Sequence, residues 1–155
     1  MALVDPGKKA PAFALPDQHG QTHRLSDYAG QLVVLYFYPK DDTPGCTKES
    51  CEFQDRLPRF TKGKAAVFGI SVLGTKSKAR FAEKYALTFP LLADEDHAVT
   101  DKYGVWQEKS MYGRKYMGIA RTTYLIGTDG RVSRRWDAVK IDGHADEVLA
   151  AVESS

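Results

Sequence analysis

The amino-acid sequence predicts an α/β fold, a central mixed β-sheet flanked by α-helices, in a single domain over residues 1–155. Three features carry that reading. Leu32 to Tyr38 and Ala65 to Val72 are unbroken apolar runs of strand length, rich in β-branched and aromatic residues, as strands buried on both faces are. A segment with apolar residues three and four apart follows each of them, as on one face of a helix. Near the end, Thr128-Asp-Gly130 separates two strand-like runs as a tight turn would, and an amphipathic segment closes the chain. Strands that alternate with helices and finish in a hairpin build a mixed sheet covered by helices.

Residues 1–30 are rich in turns. Ala12 to Leu15 is a short apolar run between prolines, Asp17-Gln-His-Gly20 reads as a turn, and Gln21 to Leu25 as an arm pairing back. Ser26 to Gly30 suits one helical turn. Pro39 stops the strand Leu32–Tyr38. Thr43 is a good N-cap, and Pro44 suits the first helical position, where its missing N–H would have no partner. From there Cys46, Ser50, Phe53, Leu57 and Phe60 fall on one stripe that should face the core. Pro58 should kink or end this helix near Leu57, and Lys62-Gly63 should stop it.

After the strand Ala65–Val72, Ser77 to Ala86 reads as a helix with Phe81 and Tyr85 on one side. Phe89 to Leu92 reads as a short strand, and Asp94 to about Tyr103 as a helical segment. Gly104 to Gly118 shows no clear period and reads as a loop with three aromatic residues. Thr122–Gly127 and Arg131–Trp136 are the arms of the predicted hairpin, and Asp142 to Val152 forms the closing helix. His19 and His23, four apart in a turn, read as surface polarity rather than a metal site.

At 155 residues the chain can bury a substantial core, and its 43% apolar and 27% charged residues are typical of a globular domain. The formal charge of +2 and the scattered basic residues argue against nucleic acid as a partner. No apolar stretch approaches membrane-spanning length. The segment Met1 to Lys9 lacks the apolar core of an export signal, so a reducing cytoplasm is expected. Two cysteines in that setting serve catalysis or redox sensing rather than a structural staple. They also cannot form a Cys-rich zinc site alone, and nothing stands at ligand spacing around them.

Both cysteines lie between Tyr36 and Cys51, where the predicted strand turns into the predicted helix. Cys46 falls in the first helical turn, among backbone N–H groups without intrahelical acceptors. Such a position favours negative charge, so a thiol there should ionise more readily than a free one, and the thiolate is the reactive form. Cys51 is five residues on. In a regular helix that separates the Cα atoms by about 8.7 Å and about 140° of rotation, whereas a disulfide needs them within about 7 Å. Pairing of the two sulfurs therefore requires the segment between them to unwind.

With these residues placed, the chain resembles the peroxiredoxins, most closely the bacterioferritin comigratory protein (PrxQ) branch. The resemblance rests on Pro39-Lys-Asp-Asp-Thr43-Pro-Gly-Cys46 with Cys51 five positions later, and continues through Phe89-Pro-Leu-Leu-Ala-Asp-Glu-Asp-His97, Tyr103-Gly-Val-Trp106, Met111-Tyr-Gly-Arg-Lys-Tyr-Met-Gly-Ile119, Arg121-Thr-Thr-Tyr-Leu-Ile126 and Gly143-His-Ala-Asp-Glu-Val-Leu149. It implies a thioredoxin-like fold and a thiol peroxidase that needs no cofactor. In that scheme Cys46 attacks the peroxide, Cys51 resolves the product as an intrachain disulfide, and thioredoxin or a similar dithiol restores both thiols. Thr43 and Arg121 would serve the catalytic cysteine. Pro39 would shape the pocket, and Glu49 would orient Arg121 or be a plain surface acid. A monomer is expected by the same resemblance. Family members often carry an acidic residue near Leu73 and an Asp near Gly127, from which this chain departs, and Pro58 interrupts a helix that usually lacks proline. A thioredoxin-type disulfide reductase is the alternative enzyme, although the cysteines are not spaced as Cys-x-x-Cys. A redox-sensing or holdase protein that signals by unwinding is the non-enzymatic alternative.

Overall fold

A computed structural model describes residues 2–155. The chain runs through β1 (Ala14–Pro16), β2 (Thr22–Arg24), a 3₁₀ turn (Leu25–Tyr28), β3 (Leu32–Phe37), α1 (Pro44–Asp55), α2 (Leu57–Lys62), β4 (Ala65–Ser71), α3 (Thr75–Tyr85), β5 (Leu91–Ala93) and α4 (Ala98–Lys102). It continues with β6 (Trp106–Met111), β7 (Arg114–Ile119), β8 (Thr122–Ile126), β9 (Val132–Trp136) and α5 (His144–Glu153). The main sheet has the order β5-β4-β3-β8-β9. β3, β4 and β5 are parallel to one another, and β8 and β9 run antiparallel to their neighbours, so the sheet is mixed as predicted.

The apolar run of β3 is unbroken because both faces of the sheet are covered. Val34, Tyr36 and Tyr38 face one core with Phe53, Phe60, Phe81, Val148 and Leu149 from α1, α2, α3 and α5. Val33, Leu35 and Phe37 face a second core with Phe13, Phe68, Tyr103, Val105 and Tyr124. Among the described residues no helix is long and apolar enough to cross a membrane.

The expected α1 helix breaks one residue before Leu57. Arg56 leaves helical geometry (φ −101, ψ 1) and Pro58, in the first turn of α2, has no N–H to return to α1. Gly63 does end α2, but with φ −77 rather than in the left-handed region, which Lys64 occupies instead (φ 59). Space explains this glycine: a Cβ there would lie 2.9 Å from Val152 Cγ1 of α5.

Two expectations are corrected. Residues 104–118 are not a loop: β6 and β7 form an antiparallel ribbon closed by Tyr112 and Gly113, both with positive φ. That geometry is a two-residue hairpin turn, and tyrosine in place of the usual Asn or Asp hides it. Most of the ribbon projects from the domain, so its strands alternate little between apolar and polar. His23 is not surface polarity. It is buried, with Nε2 2.7 Å from Asp17 Oδ2 and Nδ1 2.7 Å from the Tyr28 hydroxyl, and it pins the β1–β2 hairpin to the 3₁₀ turn. Short spans of polar residues gave no periodicity from which to read that burial.

Candidate active site

The site lies where β3 hands over to α1, because the C-terminal end of a buried strand and the N-terminal end of a helix meet there. Thr43 occupies the N-cap position with extended backbone angles, Pro44 opens the helix, and the Thr43 carbonyl accepts the Thr47 N–H at 2.8 Å. The Thr43 side chain does not cap the helix as expected. Its hydroxyl instead donates to the Lys40 carbonyl at 2.8 Å, which tightens the preceding loop. Pro39, half-buried, follows β3 after Tyr38.

Cys46 is 1% exposed. It and Glu49 are three residues apart and therefore share a face of α1. Arg121, the residue before β8, reaches that face across the sheet. Its Nη2 donates to Cys46 Sγ at 3.2 Å and its Nη1 to Glu49 Oε1 at 2.6 Å. Gly45 makes room for this approach, since a Cβ there would meet Ile141 Cδ1 at 3.2 Å and Arg121 Nη2 at 3.4 Å. Glu49 is thus a buried partner of Arg121, not a surface acid. Burial pushes its carboxyl up to about 7 even though the Arg121 charge pulls the other way. Its second oxygen, Oε2, has no hydrogen-bond partner among the described residues.

Cys51 is half-buried on the same helix and packs against the first core. Both thiols are free, and α1 is continuous between them. Burial, and then the charge of Asp55, pushes the Cys51 thiol up from its usual range, which keeps this sulfur protonated while the helix is wound.

Beneath the loop lies a buried polar cluster that sequence reasoning missed. Asp41 accepts from the Tyr38 hydroxyl at 2.5 Å and the Ser77 hydroxyl at 2.7 Å, and Lys78 Nζ lies 3.3 Å from its Oδ1 and 2.5 Å from Ser71 Oγ. Lys78 has no exposed surface. The next residue, Asp42, is held by Lys84 and Tyr85 at 2.9 and 2.7 Å. α3 therefore grips the loop between Pro39 and Thr43 with four side chains. The available signal was a lysine on the apolar stripe of α3, three residues before Phe81. Lys109 of the ribbon was missed as well, since its segment read as a loop. It feels the charges of Arg121 and Cys46, and burial and Arg121 together lower its pKa.

Among the described residues no group of three or more His, Cys, Asp or Glu side chains is placed to hold a metal ion. The constellation is a buried sulfur, one guanidinium and one buried carboxyl at a helix start, which suits nucleophilic chemistry by sulfur.

The sequence profile of the AhpC/TSA family matches residues 6–135. Peroxiredoxin Bcp of Escherichia coli (strain K12) is 46% identical over 143 residues, covering 92% of each chain, and Peroxiredoxin Bcp of Bacillus subtilis (strain 168) is 42% identical over 150 residues, covering 97% of this chain and 96% of that one. Among solved structures, a mutant of Xylella fastidiosa PrxQ superposes with a TM-score of 0.94 at 38% identity, covering 99% of this chain and 98% of that one. The bacterioferritin comigratory protein of Xanthomonas campestris, studied for alkyl peroxide reduction, superposes with a TM-score of 0.90 at 40% identity, covering 97% of this chain and 98% of that one. The sheet described above is accordingly that of a thioredoxin-fold peroxiredoxin. The chain belongs to the AhpC/TSA family and, within it, to the Bcp (PrxQ) peroxiredoxins, which makes it a thiol-dependent peroxidase.

Proposed function

We propose that this single-domain protein reduces hydrogen peroxide and organic hydroperoxides with Cys46 as nucleophile and Cys51 as resolving thiol. The observation that carries the reading is the Arg121 guanidinium 3.2 Å from a buried sulfur at the head of α1. A cation at that distance, together with the unpaired N–H groups of the first helical turn, favours a sulfur anion. The sulfur attacks one peroxide oxygen and the other leaves as water or alcohol, giving a sulfenic acid. Arg121 supplies fixed donors for the charge that develops on the leaving oxygen. The Thr43 hydroxyl, already tied to Lys40, retains acceptor capacity for the peroxide, and Pro39 walls the pocket.

Cys51 then condenses with the sulfenic acid, releasing water and forming an intrachain disulfide. The five-residue spacing requires the first turns of α1 to unwind for this step. Unwinding also frees Cys51 from the packing that keeps it protonated. A thioredoxin-like dithiol restores both thiols by exchange. This chemistry needs no metal or organic cofactor. The protein acts as a cytoplasmic monomer in antioxidant defence. Stopped-flow oxidation of the reduced protein by hydrogen peroxide tests the reading. Loss of the Cys46 thiol at a rate orders of magnitude above that of free cysteine is expected, and a rate equal to free cysteine overturns it.

A further inference from the structure

Arg121 serves two acids at once. One guanidinium carries one positive charge, yet it donates to both the Cys46 sulfur and the Glu49 carboxyl. If both acids were ionised, one negative charge in this buried site would have only the partial charge of the helix start and more distant lysines to offset it, which is costly in a medium of low polarity. Among the described residues no second cation contacts the pair. From α1 itself Glu52 adds a further negative charge. From β3 comes Tyr36, held neutral by burial and bonded to Ser50 at 2.8 Å. From α3 comes Lys78, already bound to Asp41. From α5 comes His144, which burial and Arg121 push down to about 4, so it is uncharged near neutrality. Lys109 of the ribbon is partly solvated. Of the two acids, Glu49 is the one that burial equips to hold a proton near neutrality.

We propose that Glu49 is the proton carrier of the peroxidase reaction: it takes the proton that Cys46 gives up and delivers it to the oxygen that leaves when the peroxide bond breaks. This rests on the peroxidase reading of the same site. Glu49 is 2% exposed, and its Oε2 is buried without a hydrogen-bond partner among the described residues. As a carboxyl, that oxygen is a donor in need of an acceptor, and a peroxide at the sulfur provides one directly or through one water. A carboxyl that titrates at about 7 is also matched to proton transfer near neutrality.

The steps balance. First, the Cys46 thiol and the Glu49 carboxylate become a thiolate and a carboxylic acid. The thiolate then attacks the terminal oxygen of ROOH. The S–O bond forms, the O–O bond breaks, and its electron pair leaves with RO. That oxygen takes the Glu49 proton and departs as ROH. Sulfur is oxidised by two electrons, the peroxide is reduced by two, and Glu49 ends as carboxylate.

The test compares peroxides whose leaving groups differ in their need for a proton. With tert-butyl hydroperoxide the leaving alkoxide is strongly basic, whereas with peracetic acid the leaving acetate departs unprotonated at neutral pH. Glu49→Gln keeps an oxygen acceptor for Arg121 but cannot carry a proton. Its Cys46 oxidation rate at neutral pH should fall by about 10²-fold with tert-butyl hydroperoxide and far less with peracetic acid. The pH–rate profile with the alkyl hydroperoxide should also lose its inflection near pH 7. An equal loss with both peroxides, or an unchanged rate and profile, overturns the proposal and leaves Glu49 as a prop for Arg121. The solvent isotope effect on the wild-type protein needs no variant: a larger effect with the alkyl hydroperoxide supports the proposal, and equal effects overturn it. Wild-type protein that reacts with neither peroxide faster than free cysteine would instead overturn the peroxidase reading itself.

Discussion

Lys78 Nζ lies 3.3 Å from Asp41 Oδ1, with the lysine side chain 0% and the aspartate side chain 2% exposed. This pair joins α3 to the loop that carries Pro39 and Thr43. Removing one partner leaves a buried charge unpaired, and such changes cost about 3–5 kcal/mol. Lys78→Met should therefore lower stability by that order and slow Cys46 oxidation by loosening the loop. Lys78→Met combined with Asp41→Asn should be more stable than Lys78→Met alone. Urea unfolding of the two variants checks both statements.

Stability should depend on pH through Glu49. Its carboxyl titrates at about 7 in the folded protein against 4.5 as a free group. The folded state thus holds a proton that the unfolded chain has released between those values. The favourable contribution is complete below about pH 4.5 and is lost as pH rises through about 7, by on the order of 3 kcal/mol. Denaturant unfolding of wild type and Glu49→Gln below and above this window should show wild type losing stability relative to the variant as pH rises. Parallel curves would contradict it.

Arg121→Lys keeps the charge but not the fork. An ammonium cannot hold the Cys46 sulfur and the Glu49 carboxyl on two fixed nitrogens. Peroxide oxidation of Cys46 should fall about 10²–10³-fold, the loss typical of one misplaced oxyanion donor. Single-turnover stopped-flow kinetics reads this directly.

Cys51→Ser should keep the first peroxide turnover at the wild-type rate and lose efficient recycling by thioredoxin. Mass spectrometry after one equivalent of peroxide should find a Cys46–Cys51 bridge in wild type and a sulfenic acid or its oxidation products in the variant. A steady-state rate with thioredoxin equal to wild type would exclude Cys51 as the resolving thiol.

What was legible in the sequence followed from how strongly residue pattern and burial are tied. β3 and β4 lie in the middle of the sheet with both faces covered, so their apolar runs are unbroken and unmistakable. The Thr43-Pro44 start of α1 carries its signal in residue chemistry. Cys46 and Glu49 share a helix face by spacing alone, but nothing in the spacing shows that Arg121, 75 and 72 residues away, bridges them. Asp41 and Lys78 look like two surface charges until the loop folds onto α3. The β6–β7 ribbon escaped because it carries Met111, Tyr112, Tyr116 and Met117 on its exposed surface, so its strands lack the alternation that burial imposes.

Pro58 and the interruption at Arg56 act as a firebreak. The turns of α1 that the proposed disulfide would unwind share no helical hydrogen-bond ladder with α2, which holds Phe60 in the first core. Unwinding confined to α1 would leave α2 and its buried Phe60 in place. On the proposed cycle Pro58, with no N–H to carry a ladder onward, would set the boundary beyond which the unwinding does not spread.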